Sequence, residues 1–95
     1  MHTLPTREEA ITKTQALIDG VLSDREVGDW ASQLLYPDSQ DMLNELERQD
    51  PLLAEFLTDT LGLAGETNPD GSPLYGKGDY QEWLDEFKAA IEAEA

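Results

Sequence analysis

Residues 20–37, GVLSDREVGDWASQLLYP, decide the fold of this chain. Ser23 and Glu26 have the S/T-x-x-E spacing of a capping box, which marks the start of a helix. The apolar residues that follow recur at the spacing of one helical face: Val27, Trp30, Ala31, Leu34 and Leu35. Tyr36-Pro37 ends the helix, because the residue before a proline is disfavoured in the helical conformation. The stretch therefore predicts an amphipathic helix with a defined start and end.

Upstream, the same start signal occurs at Thr6 and Glu9 and predicts a first helix. Four residues form its apolar face: Ala10, Ile11, Leu17 and Ile18. Gly20 is a natural stop for this helix. Because only residues 20–22 separate the two helices, we expect a helical hairpin with facing apolar stripes.

Downstream, a third short helix is expected to start near Asp38 or Ser39, with an apolar side formed by Met42, Leu43 and Leu46. Asp50-Pro51 is typical of an N-cap followed by proline at the first helical position, and it predicts a fourth helix. The inward residues of that helix are Leu52, Leu53, Phe56, Leu57 and Leu61. Gly62 is expected to end it.

Residues 63–78 are rich in glycine and proline, which excludes a continuous helix there. Asn68-Pro69-Asp70-Gly71 is a turn signature. The turn could join a small hairpin between residues 65–67 and 73–75, or lie in an ordered loop, and the sequence leaves both open.

Asp79 and Glu82 are predicted to cap a last helix, whose tail we expect to fray after Ile91. Its apolar stripe is Tyr80, Trp83, Leu84, Phe87 and Ile91. Together these segments predict a mainly α fold, an irregular bundle of four to five helices with a Gly/Pro-rich loop or small hairpin before the last one. With 95 residues, the chain has room for a single domain, residues 1–95.

Composition narrows the range of functions. The chain has no cysteine, which removes disulfides and Cys-based zinc sites, and a lone His2 cannot build a metal site. Residues 1–14 contain no apolar run typical of a signal peptide, and no segment approaches the roughly 20 apolar residues of a membrane span. We therefore expect a cytoplasmic protein that does not bind membranes.

Charge is the most informative feature, because 21 acidic residues against six basic ones give a formal net charge of -15. Residues 1–37 carry six acids and three bases, whereas residues 38–95 carry fifteen acids and three bases. Such a field repels nucleic acid, anionic lipid and phosphate substrates, and it accelerates encounter with cationic proteins. Acidic surfaces also improve solubility, so charge by itself leaves an adaptor function open.

No catalytic or metal motif is found. The adjacent acids Asp85 and Glu86 point about 100° apart on a helix, and no neighbouring group would separate their pKa values. A calcium loop could start at Asn68, but its sixth position is Pro73, where a glycine is needed, and its twelfth is Asp79, where glutamate is usual. We expect neither an enzyme nor a cofactor.

The acidic exterior is the remaining candidate for a site, and it is expected to meet a basic protein rather than nucleic acid. Tyr75, beside the glycine-rich segment, could anchor a partner, whereas Trp30 and Trp83 fit core positions better. The predicted partner-binding residues are Asp41, Glu45, Asp59, Glu66, Asp70, Tyr75, Asp79, Glu82, Asp85 and Glu86.

Two phrases, GVLSDREVGDWA at residues 20–31 and LYGKGDYQEWL at residues 74–84, resemble small acidic bacterial immunity proteins, the inhibitors of contact-dependent or colicin-like toxins. The resemblance implies a non-catalytic inhibitor, a monomer or weak dimer, that binds and neutralises a cognate toxin such as a nuclease. A phage-type DNA mimic that blocks a host nucleic-acid-binding protein, or an acidic adaptor domain, are the alternatives.

Overall fold

The computed structural model describes residues 4–94, so His2 lies outside the described residues. Five α-helices form the described bundle: α1 Arg7–Ile18, α2 Asp24–Ser32, α3 Gln40–Gln49, α4 Pro51–Glu55 and α5 Lys77–Glu94. The predicted mainly α bundle of four to five helices is confirmed. No helix within residues 4–94 combines the length and apolar character that crossing a membrane requires.

The helix starts follow the local signals. At α1 the capping box is complete, since the Thr6 hydroxyl accepts from the Glu9 backbone N–H (3.1 Å) and the Glu9 carboxylate accepts from the Thr6 N–H (3.2 Å). Ser23 caps α2 by accepting from the Glu26 N–H (3.1 Å), the first half of the predicted box. Asp50 caps α4 through the Leu53 N–H (3.2 Å). Each cap satisfies a backbone donor that the helix itself leaves unpaired.

The end of α2 differs from the prediction. The chain tightens into a 3-10 turn, Gln33–Leu35, and a second 3-10 turn, Pro37–Ser39, leads into α3. A 3-10 turn has three residues per turn, so it rotates the following side chains relative to an α-helix. Leu34 stays buried, but Leu35, which was expected inward, is 57% exposed.

The fourth helix also changes its winding. After α4 the chain forms a π-helical turn, Phe56–Thr60, and then a 3-10 turn, Leu61–Leu63. The segment thus runs past Gly62, where the sequence predicts its end. Four of the five residues predicted inward, Leu53, Phe56, Leu57 and Leu61, are buried all the same, and Leu52 is half-buried.

Before α5 the chain forms an ordered loop rather than a hairpin with strands. The Gly71 N–H donates to the Asn68 carbonyl (2.9 Å), which closes the predicted turn, and Gly71 has a φ of +90°. A single antiparallel bridge joins Thr67 and Pro73. The predicted turn is therefore present, and the two arms around it are too short for a ladder.

α5 is longer than predicted at both ends. It starts at Lys77, and the Asp79 carboxylate reaches back to accept from the Gly76 N–H (2.8 Å). At its other end it stays helical to Glu94, where fraying was expected. A contact distant in sequence is made at this end: the Arg7 guanidinium donates to Glu94 (2.8 Å).

That contact belongs to what we call the Arg7 clasp, made of Arg7, Asp50 and Glu94. Arg7 donates from Nε to one Asp50 oxygen and from Nη2 to the other, both at 2.7 Å. The clasp joins the first residue of α1, the cap of α4 and the last residue of α5. The hydrogen bonds from Arg7 hold the pKa of Asp50 below its usual value, against the opposing effect of burial.

The core lies between the helices. Leu61 and Leu84 are fully buried, and the rings of Phe56 and Phe87 stack at 4.1 Å, nearly parallel. α1 packs along α5, and α2 packs on residues 61–65. A Cβ on Gly28 of α2 would lie 2.7 Å from the backbone nitrogen of Gly65, so only glycine permits this approach. We call it the Gly28–Gly65 contact.

Candidate protein-binding site

Few of the acidic side chains are neutralised within the chain. Asp50 and Glu94 pair with Arg7, and Glu45 pairs with Arg48 of its own helix. Within residues 4–94, which include every acidic residue, this leaves 18 of the 21 without an arginine or lysine partner. Most of the acidic field is therefore available to act on other molecules.

The most specific acidic feature is a groove between α4 and α5, which we call the α4–α5 groove. Its volume is about 200 Å³, and its lining includes Leu52, Glu55, Phe56, Trp83, Glu86 and Phe87. Phe56 and Phe87 are buried and form the floor, while Trp83 is half-buried. Among residues 4–94, no lysine or arginine lines this groove.

One carboxylate lines each side of the groove, Glu55 on α4 and Glu86 on α5, and further acids lie nearby on the same two segments. Asp79, Glu82 and Glu86 follow one another at i, i+3 and i+7 on α5, so they share one face, beside Trp83. Across the groove Glu55 is followed four residues later by Asp59, at the π-helical turn. Glu55, Asp59, Glu82 and Glu86 are all exposed. An apolar floor between two acidic borders fits a partner with basic and apolar groups side by side.

Trp83 is held in place by two tyrosines. Its ring meets Tyr75 edge-on at 5.0 Å and Tyr80 edge-on at 5.3 Å. The buried Tyr80 hydroxyl donates to the carbonyls of Ala64 (3.2 Å) and Tyr75 (3.3 Å), which ties the loop to α5. Burial, and then the charges of Asp24 and Asp79, raise the pKa of Tyr80, so its hydroxyl stays protonated as a donor. A fixed aromatic ring loses little entropy on contact with a partner.

The structure brings together only part of the predicted surface. Glu86 lines the groove, and the ring of Tyr75 meets that of Trp83. Asp79 and Glu82 share the α5 face of Glu86, whereas Asp59 follows Glu55 along the chain without lining the groove. Asp85 is on another side of α5, where it accepts from Gln81 (3.0 Å).

The other predicted residues lie elsewhere. Asp41 and Glu45 are on α3, and Glu45 also accepts from Gln49 (2.6 Å). Glu66 lines a separate groove between α2 and the loop. The Asp70 carboxylate accepts from the Ser72 N–H (3.0 Å) and hydroxyl (2.6 Å), bonds that lower the pKa of Asp70. These four are therefore not part of the α4–α5 groove.

Of the eight residues that line the groove, only Glu86 was among the predicted binding residues. From the sequence alone, Glu55 cannot be distinguished from the other acidic residues of the chain. Trp83 lies on the apolar stripe of its helix, which is typical of a core residue. Their proximity depends on how α4 meets α5, which the local pattern does not specify. The available signal was the sequence Glu82-Trp83, a carboxylate beside a large aromatic ring.

Within residues 4–94, no group of three His, Asp or Glu side chains lies close enough together to hold a metal ion. The residues of the calcium-loop pattern make turn and cap bonds instead, among them Asn68 Nδ2 to Ser72 Oγ (3.1 Å). The carboxyls with shifted pKa values, Asp50 and Asp70, both shift downward.

No protein-family model, curated protein or solved structure matches this chain.

Proposed function

We propose that this protein is a non-catalytic inhibitor of the immunity type, which binds a basic bacterial toxin, a nuclease above all, and excludes its substrate. The observation that supports the proposal is the α4–α5 groove. It places the fixed ring of Trp83 beside the carboxylates of Glu55 and Glu86, which have no cationic partner, and no lysine or arginine among residues 4–94 lines it. The groove would receive an apolar side chain of the toxin, and the carboxylates would meet its lysines and arginines.

Carboxylates of the inhibitor would take the place of the substrate's phosphates. A nuclease binds the nucleic-acid backbone through lysine and arginine side chains. Carboxylates on a rigid helix can pair with the same groups, and a net charge of -15 speeds the encounter. The apolar floor contributes affinity that salt does not screen, since burial of apolar surface is independent of charge.

The groove alone is small for a stable complex. Specific interfaces bury about 1,600 Å² in total, roughly 800 Å² on each partner. The proposed interface therefore extends along α5 over the row of Asp79, Glu82 and Glu86, with Trp83 near its centre. Central aromatic residues with charged neighbours are typical of binding hot spots.

The test starts from capture of a binding protein, with the full chain as bait in a lysate of its native cells. The captured protein is then expressed alone and together with this chain. We expect it to stop growth when alone, and one equivalent of this chain to restore growth. Its catalytic activity should fall to zero at a 1:1 ratio.

The surface is tested by a triple variant, Glu55→Gln, Glu82→Gln and Glu86→Gln. Its association rate should fall about tenfold or more at low salt, because steering contributes factors of roughly 10 to 1,000. The matched control is Glu8→Gln, Glu26→Gln and Glu47→Gln, three exposed acids outside the groove. It removes the same charge and should slow association much less.

Equal rates for the two triple variants would place the interface elsewhere. A captured nucleic-acid-binding protein that leaves growth unchanged would overturn the immunity function and favour the DNA-mimic alternative.

A further inference from the structure

A second recess lies away from the α4–α5 groove, where the start of α1, the end of α2 and the start of α3 meet. We call it the Trp30 cleft. Its volume is about 360 Å³, and Trp30, Leu34, Met42 and Leu57 form its apolar walls. Leu34 and Leu57 are buried, whereas Trp30 and Met42 are half-buried and reach the opening. The volume is near the lower limit for ligand pockets and suits one small ligand or one long side chain.

The polar groups of the Trp30 cleft have one sign of charge. Glu9 and Asp38 contribute carboxylates, and no lysine or arginine of the part of the chain that the structure describes lines the cleft. Glu9 is positioned by its capping box, in which Oε1 accepts from the backbone N–H and hydroxyl of Thr6. Its Oε2 has no donor among the described groups and can accept from a ligand. The cleft therefore favours a cation.

Independently of these acids, the Trp30 ring already holds a cation. Nζ of Lys13, one turn after Glu9 on α1, lies 5.0 Å from the ring centroid. The face of an indole attracts ammonium and guanidinium groups through its quadrupole. Lys13 does not line the cleft, so the ring has an internal cation on it and borders an unfilled volume as well.

We propose that the Trp30 cleft is a binding site for an alkylguanidinium group, namely an arginine side chain of a protein partner. The guanidinium stacks on Trp30 and donates to Asp38 and Glu9, while the methylene stem packs on Met42 and Leu34. Arginine suits this environment better than lysine, because it is planar, weakly hydrated and donates in a fork that matches a carboxylate. The site is separate from the α4–α5 groove and does not depend on the function proposed for that groove.

The test uses the whole ¹⁵N-labelled protein and N-acetyl-arginine methylamide as the probe, at low ionic strength. The chain has two tryptophans, so its spectrum contains two indole N–H signals, and a Trp83→Phe variant assigns them. The Trp30 signal should shift with saturation. N-acetyl-norleucine methylamide, which has a similar stem without the charge, should leave it in place. The Trp83 signal reports separately on the α4–α5 groove.

Variants identify the groups involved. Asp38→Asn and Glu9→Gln should each weaken the probe about two- to fivefold, the range of exposed charge pairs. Glutamine at position 9 keeps the capping box, so the fold is preserved. Lys13→Met removes the competing cation and should tighten the probe by a similar factor. Glu47→Gln, on the exposed part of α3, is the matched charge control and should have no effect.

Three outcomes would overturn the proposal. The norleucine probe could shift Trp30 as far as the arginine probe, which would make the cleft merely apolar. Asp38→Asn and Glu9→Gln could bind as tightly as the unaltered protein. Agmatine, the same guanidinium without the peptide groups, could bind ten times more tightly than the capped arginine, which would assign the cleft to a free amine.

Discussion

At the Gly28–Gly65 contact a helix meets a loop through backbone atoms alone, whereas at the Arg7 clasp three helix ends meet through charged side chains. Both features join parts of the chain that are distant in sequence. The first depends on the absence of a side chain and is indifferent to ionisation. The second depends on ionised groups, so pH and salt control it. The bundle is therefore held together at one place by close backbone packing and at another by ion pairs, although the chain has few cations.

The largest expected change in the free energy of unfolding concerns the Gly28–Gly65 contact. Gly28→Ala places a Cβ 2.7 Å from the Gly65 nitrogen, and backbone must move to relieve it. We expect a loss of about 2–3 kcal/mol in the free energy of unfolding, as for overpacking. Gly78→Ala is the matched control, because nothing lies near its Cβ and alanine favours the helix by about 0.5–1 kcal/mol. Urea unfolding measures both, and equal values for the two variants would show that the close approach does not exist.

Next in size is removal of the clasp. Arg7→Met leaves Asp50, whose side chain is 21% exposed, without its partner. The expected loss is about 1–2 kcal/mol, between the values for exposed and buried ion pairs. Arg48→Met breaks a pair within α3 whose arginine is 74% exposed, and it should cost less than about 0.5 kcal/mol. Similar losses in both variants would mean that the clasp acts no differently from a surface pair.

Low pH should change the stabilisation by the Arg7 clasp but not the stabilisation by the Gly28–Gly65 contact. Arg7 lowers the folded-state pKa of Asp50, so the clasp stabilises the protein fully above the unfolded pKa of about 3.9. That stabilisation is lost as the pH falls through the folded-state pKa. The difference in unfolding free energy between the unaltered protein and Arg7→Met should therefore shrink below about pH 4, whereas the difference for Gly28→Ala should stay constant. A pH series of urea midpoints tests this, and a constant Arg7→Met difference down to pH 2 would contradict it.

A change in salt concentration should have the smallest effect on the unfolding free energies. In about 1 M NaCl the screening length is roughly 3 Å, so the loss caused by Arg7→Met should decrease by a few tenths of a kcal/mol. The loss caused by Gly28→Ala should not change. Unfolding of both variants at low and high salt makes the comparison, and Arg48→Met, which changes the net charge by the same amount as Arg7→Met, is the control for overall charge repulsion. A salt-dependent loss in Gly28→Ala would show that its effect is partly electrostatic.

Local signals in the sequence predict most of the helix starts. Thr6, Ser23 and Asp50 each cap a helix because the required donor lies only three residues away. The turn at residues 68–71 is predictable for the same reason. Errors occur where one winding replaces another, as at Leu35, which a 3-10 turn carries to the surface. The spacing of apolar residues predicts which side chains point inward only if the helix has 3.6 residues per turn. A local change to a 3-10 or π-helical turn is therefore not predicted.

Contacts between residues distant in sequence account for the features that local signals do not predict. Nothing near Glu94 in sequence predicts that Arg7 will contact that residue, and nothing near Glu55 predicts Trp83 across a groove. The acidity of residues 38–95 is a property of composition and could be predicted. Which carboxylates gather around an aromatic ring depends on how helices pack, and only the three-dimensional arrangement specifies it.

The Arg7 clasp has a topological consequence. Because Arg7 and Glu94 are hydrogen-bonded, the described chain returns to its starting point and is almost a closed ring. A short linker from residue 94 back to residue 4 should therefore allow circular permutation, with new termini opened between Pro69 and Asp70, both exposed in the turn. Such a permutant would keep α5 and the α4–α5 groove intact, and labels fused to its new termini would leave the molecule at the turn.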